Sequence, residues 1–270
     1  MHEWPLLIFT LLLQGAVGLT LFLSLAYGGE KFAPCTARRM WVPVFSACVL
    51  AGVGLLASVF HLGYPLNAFN ALRHISSSWL SREILFASLF LACLGVSFLA
   101  LLFKLKVVKG LLPIAVLLGL IDVFCMSEIY MRTSVVTWTH FNTLVMFYGS
   151  VAIVGGVMFS VVGGAHNSGL LRWAAGAIVV AVLVRLLTQI PYMTWLADVG
   201  LNDALTFPHQ PLTAFRALAD CRLTGWILSV IGAVIFVCGA VRAQRGWLFI
   251  GGVMLLVAEV LLRFVFFSIH

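Results

Sequence analysis

Apolar runs long enough to cross a lipid bilayer follow one another along almost the whole chain. The hydrocarbon core of a bilayer takes about 20 residues of α-helix. Backbone polar groups in lipid must be satisfied within the segment itself, which favours a helix for each run. The pattern therefore predicts an all-α integral membrane protein with eight transmembrane helices, at residues 5–27, 41–60, 83–103, 110–130, 143–163, 173–190, 222–241 and 246–268.

The composition supports this prediction and excludes several other classes. The 270 residues are 63% hydrophobic and only 9% charged, whereas soluble domains carry about 25% charged residues. The connections are too short for a second domain, so residues 1–270 are expected to form a single polytopic membrane domain. The formal net charge of +7 comes from residues scattered over short loops. That placement indicates topology rather than a nucleic-acid partner.

The distribution of basic residues predicts the orientation of the protein. Cytoplasmic loops carry the excess of Lys and Arg. The odd-numbered loops hold Lys31, Arg38, Arg39, Lys104, Lys106, Lys109, Arg172, Arg242 and Arg245, whereas the even-numbered loops and flanking span ends hold Arg73, Arg82, Arg132, Arg216 and Arg222. Both termini are therefore expected on the non-cytoplasmic side of the membrane.

A short internal repeat suggests two related halves. Residues 65–72 and 211–218 are identical at six of eight positions, and each copy follows an outward-going span. Duplication of a four-helix unit, giving halves 1–142 and 143–270, would explain both the similarity and its position. Chance similarity in a biased composition is the alternative.

The histidines and cysteines predict that this protein holds no haem and no metal. All seven histidines lie at termini, span ends or loops, whereas a transmembrane haem needs axial ligands inside the helices. No two of the six cysteines have the C-x-x-C spacing of zinc or iron–sulfur sites.

Two residues at the ends of one external connection are candidates for proton chemistry. His61 closes the second span, and Glu83 opens the third. A histidine exchanges protons near neutrality, and a histidine with a carboxylate suits a two-proton, two-electron quinol oxidation. The alternatives are an interfacial histidine satisfied by water and an acid in the first turn of a helix capped by Ser81. Tyr130, Ser81 and Gln14 are further candidates for hydrogen bonds to a quinol ring.

Other ionisable residues inside the spans have structural interpretations. Asp122 and Glu128 lie toward the outer end of the fourth span, where ionisable groups commonly mark function. Glu128–Arg132 and Glu259–Arg263 have the four-residue spacing of local helix ion pairs. Arg185 has no acid one turn away, so we expect it to pair across helices or to extend toward the interface.

Several segments resemble the membrane anchor subunit of bacterial dimethyl sulfoxide reductases. The resemblance covers essentially the whole chain, and the stretch from His61 to Glu83 is its most specific part. The segments are His2-Glu3-Trp4-Pro5-Leu6, His61-Leu62-Gly63-x-Pro65-Leu66-x-Ala68-Phe69-Asn70, Ser78-x-Leu80-Ser81-x-Glu83, Met126-Ser127-x-Ile129-Tyr130 and Ala258-Glu259-Val260-x-x-Arg263.

The resemblance implies a subunit of a quinol:dimethyl sulfoxide oxidoreductase in the bacterial inner membrane. This subunit would oxidise menaquinol at its periplasmic face, using His61 and Glu83. It would pass electrons to a four-cluster iron–sulfur subunit and so to a molybdopterin catalytic subunit, both on the periplasmic side. Dimethyl sulfoxide, another S- or N-oxide and selenate are all compatible terminal acceptors.

Two other functions remain as alternatives. Repeats are common in secondary transporters of small solutes, although their sites usually lie at the membrane midplane rather than near one boundary. A purely structural anchor, with quinol oxidised elsewhere, is the other. Solute uptake by the purified protein in liposomes would support transport, and normal quinol turnover in a His61→Arg variant would support the structural anchor.

Overall fold

The computed structural model describes residues 4–28, 37–59, 72–103, 105, 108–163, 168–202 and 211–269, and its regular structure is helical. This confirms the predicted fold class. Short 3-10 helices at Leu72–His74 and Val136–Trp138 precede two of the spans. The α-helices of the described residues are α1 Trp4–Gly28, α2 Ala37–Val59, α3 Trp79–Leu102, α4 Val108–Met131, α5 Asn142–Val162, α6 Ser168–Asn202, α7 Pro211–Ala217, α8 Ala219–Arg242 and α9 Arg245–Ser268.

Eight of these helices are long and apolar enough to cross a membrane, all except α7. The sixth span differs most from its prediction. It was expected to end near residue 190, but α6 continues through Pro191 to Asn202. The extension is stabilised by packing, because Tyr192 and Leu196 are buried against Phe215 of α7 and Val265 of α9. Tertiary contacts therefore outweigh the usual tendency of proline to interrupt a helix.

The spans form two quartets with the same pattern of neighbours. In the first quartet, α1 packs on α2, α2 on α3, α3 on α4 and α4 on α1. In the second, α5 packs on α6, α6 on α8, α8 on α9 and α9 on α5. Helices α1 and α4 contact α5 across the boundary, and α1 also contacts α9. The origin of the quartets by duplication stays a prediction.

Helix α1 is the most buried of the eight spans, and its contact with α5 depends on glycine. A Cβ on Gly18 would lie 1.9 Å from the carbonyl oxygen of Val151. A Cβ on Gly155 would lie 2.4 Å from the Gly18 backbone. The two backbones therefore approach too closely for any side chain at either position. Such small-residue contacts are the common way for helices to associate in lipid.

A buried polar network lies where the two quartets meet. Arg185 of α6 forms a salt bridge with Glu259 of α9, and both side chains are buried. The Ser150 hydroxyl of α5 donates to Glu259 (2.6 Å) and accepts from Arg185 (2.8 Å) and from Arg263 of α9 (2.8 Å). Arg263 also donates to Oε1 of Gln14 on α1 at 2.6 Å. The network thus connects the second quartet to the central helix of the first.

The structure tests two predictions, one about the partner of Arg185 and one about the pair Glu259–Arg263. Of the two alternatives expected for Arg185, the structure shows pairing across helices and not extension toward the interface. The predicted local pair between Glu259 and Arg263 is wrong, because the Glu259 carboxylate faces Arg185 and Ser150 instead. The Arg263 guanidinium lies 4.2 Å from the centroid of the Phe147 ring. Four-residue spacing allows Glu259 to pair with Arg263 but does not ensure it. Here Arg185, a second buried arginine, pairs with the same carboxylate.

The helix backbone makes room for this network at Gly149. A Cβ there would lie 2.1 Å from Nε of Arg185. A second hydrogen bond from Arg185, to the main-chain oxygen of Met146, holds the guanidinium against the same face of α5. The position of Arg185 therefore depends on the absence of a side chain at residue 149.

Replacing Glu259 by Gln is expected to destabilise the folded protein strongly. Removing one partner of a buried ion pair leaves an uncompensated charge, here that of Arg185, at a cost of about 3–5 kcal/mol. Unfolding of the purified protein in mixed micelles of increasing SDS content measures the loss. Glu128→Gln is the matched control, because its partner Arg132 has 64% of its side chain exposed; the control should change stability by less than about 1 kcal/mol. Equal losses in the two variants would contradict this view of the network.

Candidate functional site

The predicted site residues lie on several elements, and one of them falls outside the described part of the protein. His61 lies in residues 60–71, which the structure does not describe. Ser81 and Glu83 lie near the start of α3, Tyr130 lies near the end of α4, and Gln14 lies in α1. The start of α3 and the facing part of α4 therefore form the core of the candidate site.

The start of α3 corrects one prediction from the sequence. The N-cap is Ser78, whose hydroxyl accepts a hydrogen bond from the main-chain N–H of Ser81. Ser81 is not the cap but a buried residue of the first turn. Glu83 consequently lies one turn inside the helix, with no acidic residue in the first turn. Favourable interaction with the N-terminal helix dipole falls off within that turn, so it does not account for an acid at residue 83.

Arg82 connects α3 to the turn that precedes it. Its guanidinium donates to the main-chain oxygens of Ile75 (2.9 Å) and Ser76 (2.7 Å). The same group lies 4.2 Å from the centroid of the Trp79 ring. These contacts fix the end of the connection between α2 and α3, which is the connection that carries His61.

Glu83 is a buried carboxylate, with 7% of its surface exposed. It makes no hydrogen bond to another described residue through its side chain. Within electrostatic range lies a second carboxylate, Asp122 of α4. An ionisable group in this position is costly in lipid and commonly has a function.

Asp122 is fully buried, and neither of its carboxylate oxygens makes a hydrogen bond of normal geometry to a residue that the structure describes. The main chain of Ala87 on α3 is close enough to interact with it electrostatically. The sequence around Asp122 already indicates that it has no partner on its own helix. The positions three and four residues away on α4 are Leu118, Gly119, Cys125 and Met126, none of which is basic. A mid-helix acid without a local cation must find its partner on another helix, be neutral, or act on a ligand.

The Tyr130 side chain, on α4, packs in an aromatic cluster and not against α3. Its ring makes edge-on contacts with Trp138, Phe147, Phe266 and Phe267, at centroid distances of 5.4–5.7 Å. These rings come from the 3-10 helix before α5, from α5 and from α9. The contacts fix the orientation of Tyr130 toward the second quartet, and its role in binding a ligand stays a prediction.

Gln14 is buried, and both ends of its amide are engaged. Its nitrogen donates to Sδ of Met126 at 3.3 Å, and its oxygen accepts from Arg263. Met126 lies one turn from Asp122 on α4. Gln14 therefore links the carboxylate side of α4 to the buried arginine network, and its role in binding a ligand stays a prediction.

The predicted ion pair between Glu128 and Arg132 is confirmed, with a separation of 2.6 Å. The Arg132 guanidinium also lies 5.4 Å from the centroid of the Trp79 ring. These groups form the polar rim above Glu83 and Asp122. Their charges compensate each other, so they do not supply a counter-ion to the two deeper carboxylates.

His140 lies outside the spans, in the loop before α5. Its Nδ1 accepts from the main-chain N–H of Asn142, and its ring packs against Tyr192 and Trp195. Burial against these rings lowers the pKa of His140 below its usual value, because it disfavours the charged imidazolium. The ring thus stabilises the contact between the loop before α5 and the end of α6 in its neutral form.

Eight helices long and apolar enough to cross a membrane, among the described residues, define a multi-pass membrane protein. The sequence matches the family described as DMSO reductase anchor subunit (DmsC) over residues 1–269. The protein belongs to this family. It is therefore a membrane anchor subunit.

Similar proteins come from two bacteria. The sequence is 28% identical to the YnfH subunit of an anaerobic dimethyl sulfoxide reductase of Escherichia coli K12, and 29% identical to the C subunit of the anaerobic dimethyl sulfoxide reductase of the same organism. Each alignment covers all of this protein and 95% of the relative. The C subunit of the Haemophilus influenzae anaerobic dimethyl sulfoxide reductase is 34% identical over 59% of this protein and 58% of its own length. No solved structure matches the sequence.

Acidification is expected to loosen the contact between His140 and α6. Because the pKa of His140 is lower when folded than when unfolded, its contribution to stability is present above the usual histidine value of about 6.5 and is lost as pH falls below it. Thermal unfolding of the purified protein between pH 7.5 and pH 5 measures this. A His140→Phe variant, which keeps an aromatic ring but cannot titrate, should lose less stability over that range. An identical pH dependence in both proteins would contradict the assignment.

Proposed function

We propose that this protein is the quinol-oxidising anchor of a molybdenum-type sulfoxide reductase. Menaquinol would bind at the periplasmic end of the first quartet and give two electrons to an iron–sulfur subunit. That subunit would pass them to a molybdopterin catalytic subunit, which reduces dimethyl sulfoxide or a related oxide. The names of the similar proteins, subunits of anaerobic dimethyl sulfoxide reductases, support the substrate class.

The observation that carries the proposal is the burial of Glu83 without a counter-ion among the residues that the structure describes. A carboxylate at this place accepts a proton more readily than one exposed to water or paired with arginine, because burial disfavours its charged form. It lies next to the connection that contains His61, and Arg82 anchors the end of that connection to α3. A quinol between the connection and α3 would have a proton acceptor on each side.

Each residue has a distinct task in the proposed reaction. Oxidation of a quinol breaks two O–H bonds and releases two protons and two electrons. Glu83 and His61 accept the protons, and Ser81 holds a ring oxygen by hydrogen bonding. The Arg82 guanidinium lies over the Trp79 ring, and this pair would cover the site from the water side. The electrons leave for the cofactors of the partner subunits, so the anchor itself controls the protons and the position of the ring.

Replacing Glu83 by Gln is expected to abolish quinol-dependent turnover in the assembled complex. The amide keeps the shape of the side chain but cannot accept the proton, and loss of a general base costs about 10²–10⁴-fold. The measurement is reduction of dimethyl sulfoxide by membranes supplied with a menaquinol analogue. His61→Arg should show the same loss.

The controls separate chemistry from assembly. With an artificial donor that reduces the partner subunits directly, both variants should work at the wild-type rate. Glu128→Gln changes a carboxylate of the polar rim and should leave quinol turnover within about twofold, as expected for a residue outside the acid–base chemistry. If Glu83→Gln turns over quinol normally, the site is elsewhere.

The orientation can be tested independently of activity. We propose that both termini lie in the periplasm, since the odd-numbered loops carry more basic residues. An alkaline phosphatase fused after His270 should then be active, because that enzyme folds only outside the cytoplasm, and a green fluorescent protein at the same place should stay dark. A fluorescent fusion with inactive phosphatase would reverse the orientation.

A further inference from the structure

Asp122 is an exception to the way polar groups are buried in this protein. Buried polar side chains in native structures are nearly always hydrogen-bonded. Those of the described spans follow this rule at Ser127, Ser150 and Gln14. Nε of Arg185 and one terminal nitrogen of Arg263 also lack a partner, but each of these guanidinium groups makes other hydrogen bonds. Asp122 differs because both of its carboxylate oxygens are buried without a hydrogen bond of normal geometry to a described residue. An acid retained in this state at the interface of α3 and α4 requires an explanation other than packing.

The packing of α3 on α4 places Asp122 opposite Glu83. The two helices are antiparallel, and their register is fixed by ring contacts on either side of the acids. Trp79 packs edge-on against Phe124, with ring centroids 5.8 Å apart. Deeper in the bundle, Phe90 packs on Gly119, where a Cβ would lie 3.2 Å from the ring. Glu83 and Asp122 lie between these contacts and interact electrostatically.

The neighbouring groups do not neutralise the pair. Tyr148 of α5 lies within electrostatic range of Asp122, but its hydroxyl donates to the main-chain oxygen of Leu120 at 2.9 Å. Cys125, on the same helix, is an uncharged thiol. Arg82 of α3 is directed away, toward the main-chain oxygens of Ile75 and Ser76. The amide nitrogen of Gln14, from α1, donates one hydrogen bond to Sδ of Met126 and carries no charge.

The balance of deeply buried charges indicates how many protons the pair holds. Among the residues whose burial the structure describes, the buried guanidinium groups are Arg185 and Arg263, and the buried carboxylates outside a surface ion pair are Glu83, Asp122 and Glu259. Two like charges close together cannot both be ionised in a low-dielectric interior. One proton shared between Glu83 and Asp122 leaves two negative charges against two positive ones. The interior is then neutral, as burial in lipid favours.

We propose that Asp122 is a second proton-accepting residue of the quinol site, which shares one proton with Glu83 at rest and stores the proton that Glu83 takes from the quinol. This inference rests on the proposed function and adds a residue to it. Asp122 lies nine residues before Met131, the end of α4, which is about 13 Å along the helix. It is therefore the inner member of the pair, and Glu83 is the member next to the substrate.

The proton transfer conserves atoms and electrons. One O–H bond of the quinol breaks, and a new O–H bond forms on a Glu83 oxygen, while one electron leaves for the iron–sulfur subunit. The pair then holds two protons, one on each carboxyl group. Return of one proton to the periplasmic water through Glu83 restores the resting state. The second quinol proton leaves by His61 under the proposed function, and the second electron follows the first.

The test compares three variants of the intact membrane-bound complex: Asp122→Asn, Glu83→Gln and the double variant. Asp122→Asn should lower turnover with a menaquinol analogue by about 10-fold or more, within the range of general acid–base effects, and leave turnover with an artificial donor within about twofold. The double variant should be no slower than Glu83→Gln alone, because residues that act as one unit are not additive. Asp122→Glu, which keeps a carboxyl group and so the acid–base function, should retain turnover within about threefold.

A spectroscopic measurement distinguishes a proton acceptor from a structural residue. Infrared spectra of the resting complex should contain the carbonyl stretch of one buried protonated carboxyl group, shifted by exchange into D₂O. That band should disappear in Asp122→Asn or Glu83→Gln. If Asp122→Asn does not assemble, the band in the wild type decides, and its absence overturns the proposal.

The remaining outcomes separate this inference from the proposed function. Normal quinol turnover in Glu83→Gln defeats both. Impaired Glu83→Gln together with normal Asp122→Asn defeats only the role of Asp122. A fall in artificial-donor turnover that equals the fall in quinol turnover would show that Asp122 supports assembly, and would overturn its place in the reaction.

Discussion

The structure depends on the need to compensate every charge that lies inside the membrane. Arg185 and Glu259 satisfy each other across α6 and α9, and Ser150 extends the pair to Arg263. Arg263 in turn holds Gln14 of the central helix. Apolar contacts alone give little direction to helix packing in lipid, because lipid tails are as apolar as leucine. Directional bonds at the boundary between the quartets therefore select one arrangement of the eight spans.

The two quartets use acids in opposite ways. In the second quartet, Glu259 is fully engaged and contributes to the architecture. In the first, Glu83 and Asp122 face each other, and the described residues provide them with no cation. A group that is already satisfied has little tendency to bind a proton, whereas an unsatisfied one has a strong tendency. Under the proposed function, the same chemical group thus serves cohesion on one side of Gln14 and proton chemistry on the other.

Much of the fold could be predicted from the sequence, because the spans depend on local apolar length. The eight helices, the pair Glu128–Arg132 and the cross-helix pairing of Arg185 all follow from composition and spacing. The passage of α6 through Pro191 could not be predicted, since its cause is packing against α7 and α9. Nor could the choice of Ser78 over Ser81 as the cap, because both serines precede the same apolar run.

The candidate site was predicted less completely than the fold. Burial of Glu83 agrees with a role in proton exchange, and His61 lies outside the described residues, so its role stays a prediction. The proximity of Asp122 to Glu83 depends on the register of α3 against α4, which the contacts of Trp79 with Phe124 and of Phe90 with Gly119 determine. A single sequence shows an acid without a local partner, but not which helix it meets.

The hydrogen bond from Arg263 to Gln14 also affects biosynthesis. It joins residues 249 positions apart, one in the first span to leave the ribosome and one in the last. Until synthesis is complete, a polar amide in the first inserted helix lacks its permanent partner. A truncated protein would keep that amide and the Ser150 hydroxyl without Arg263, in a membrane where unsatisfied polar groups are costly. Helix α9 therefore supplies the permanent partner of a polar group in a helix that is synthesised long before it.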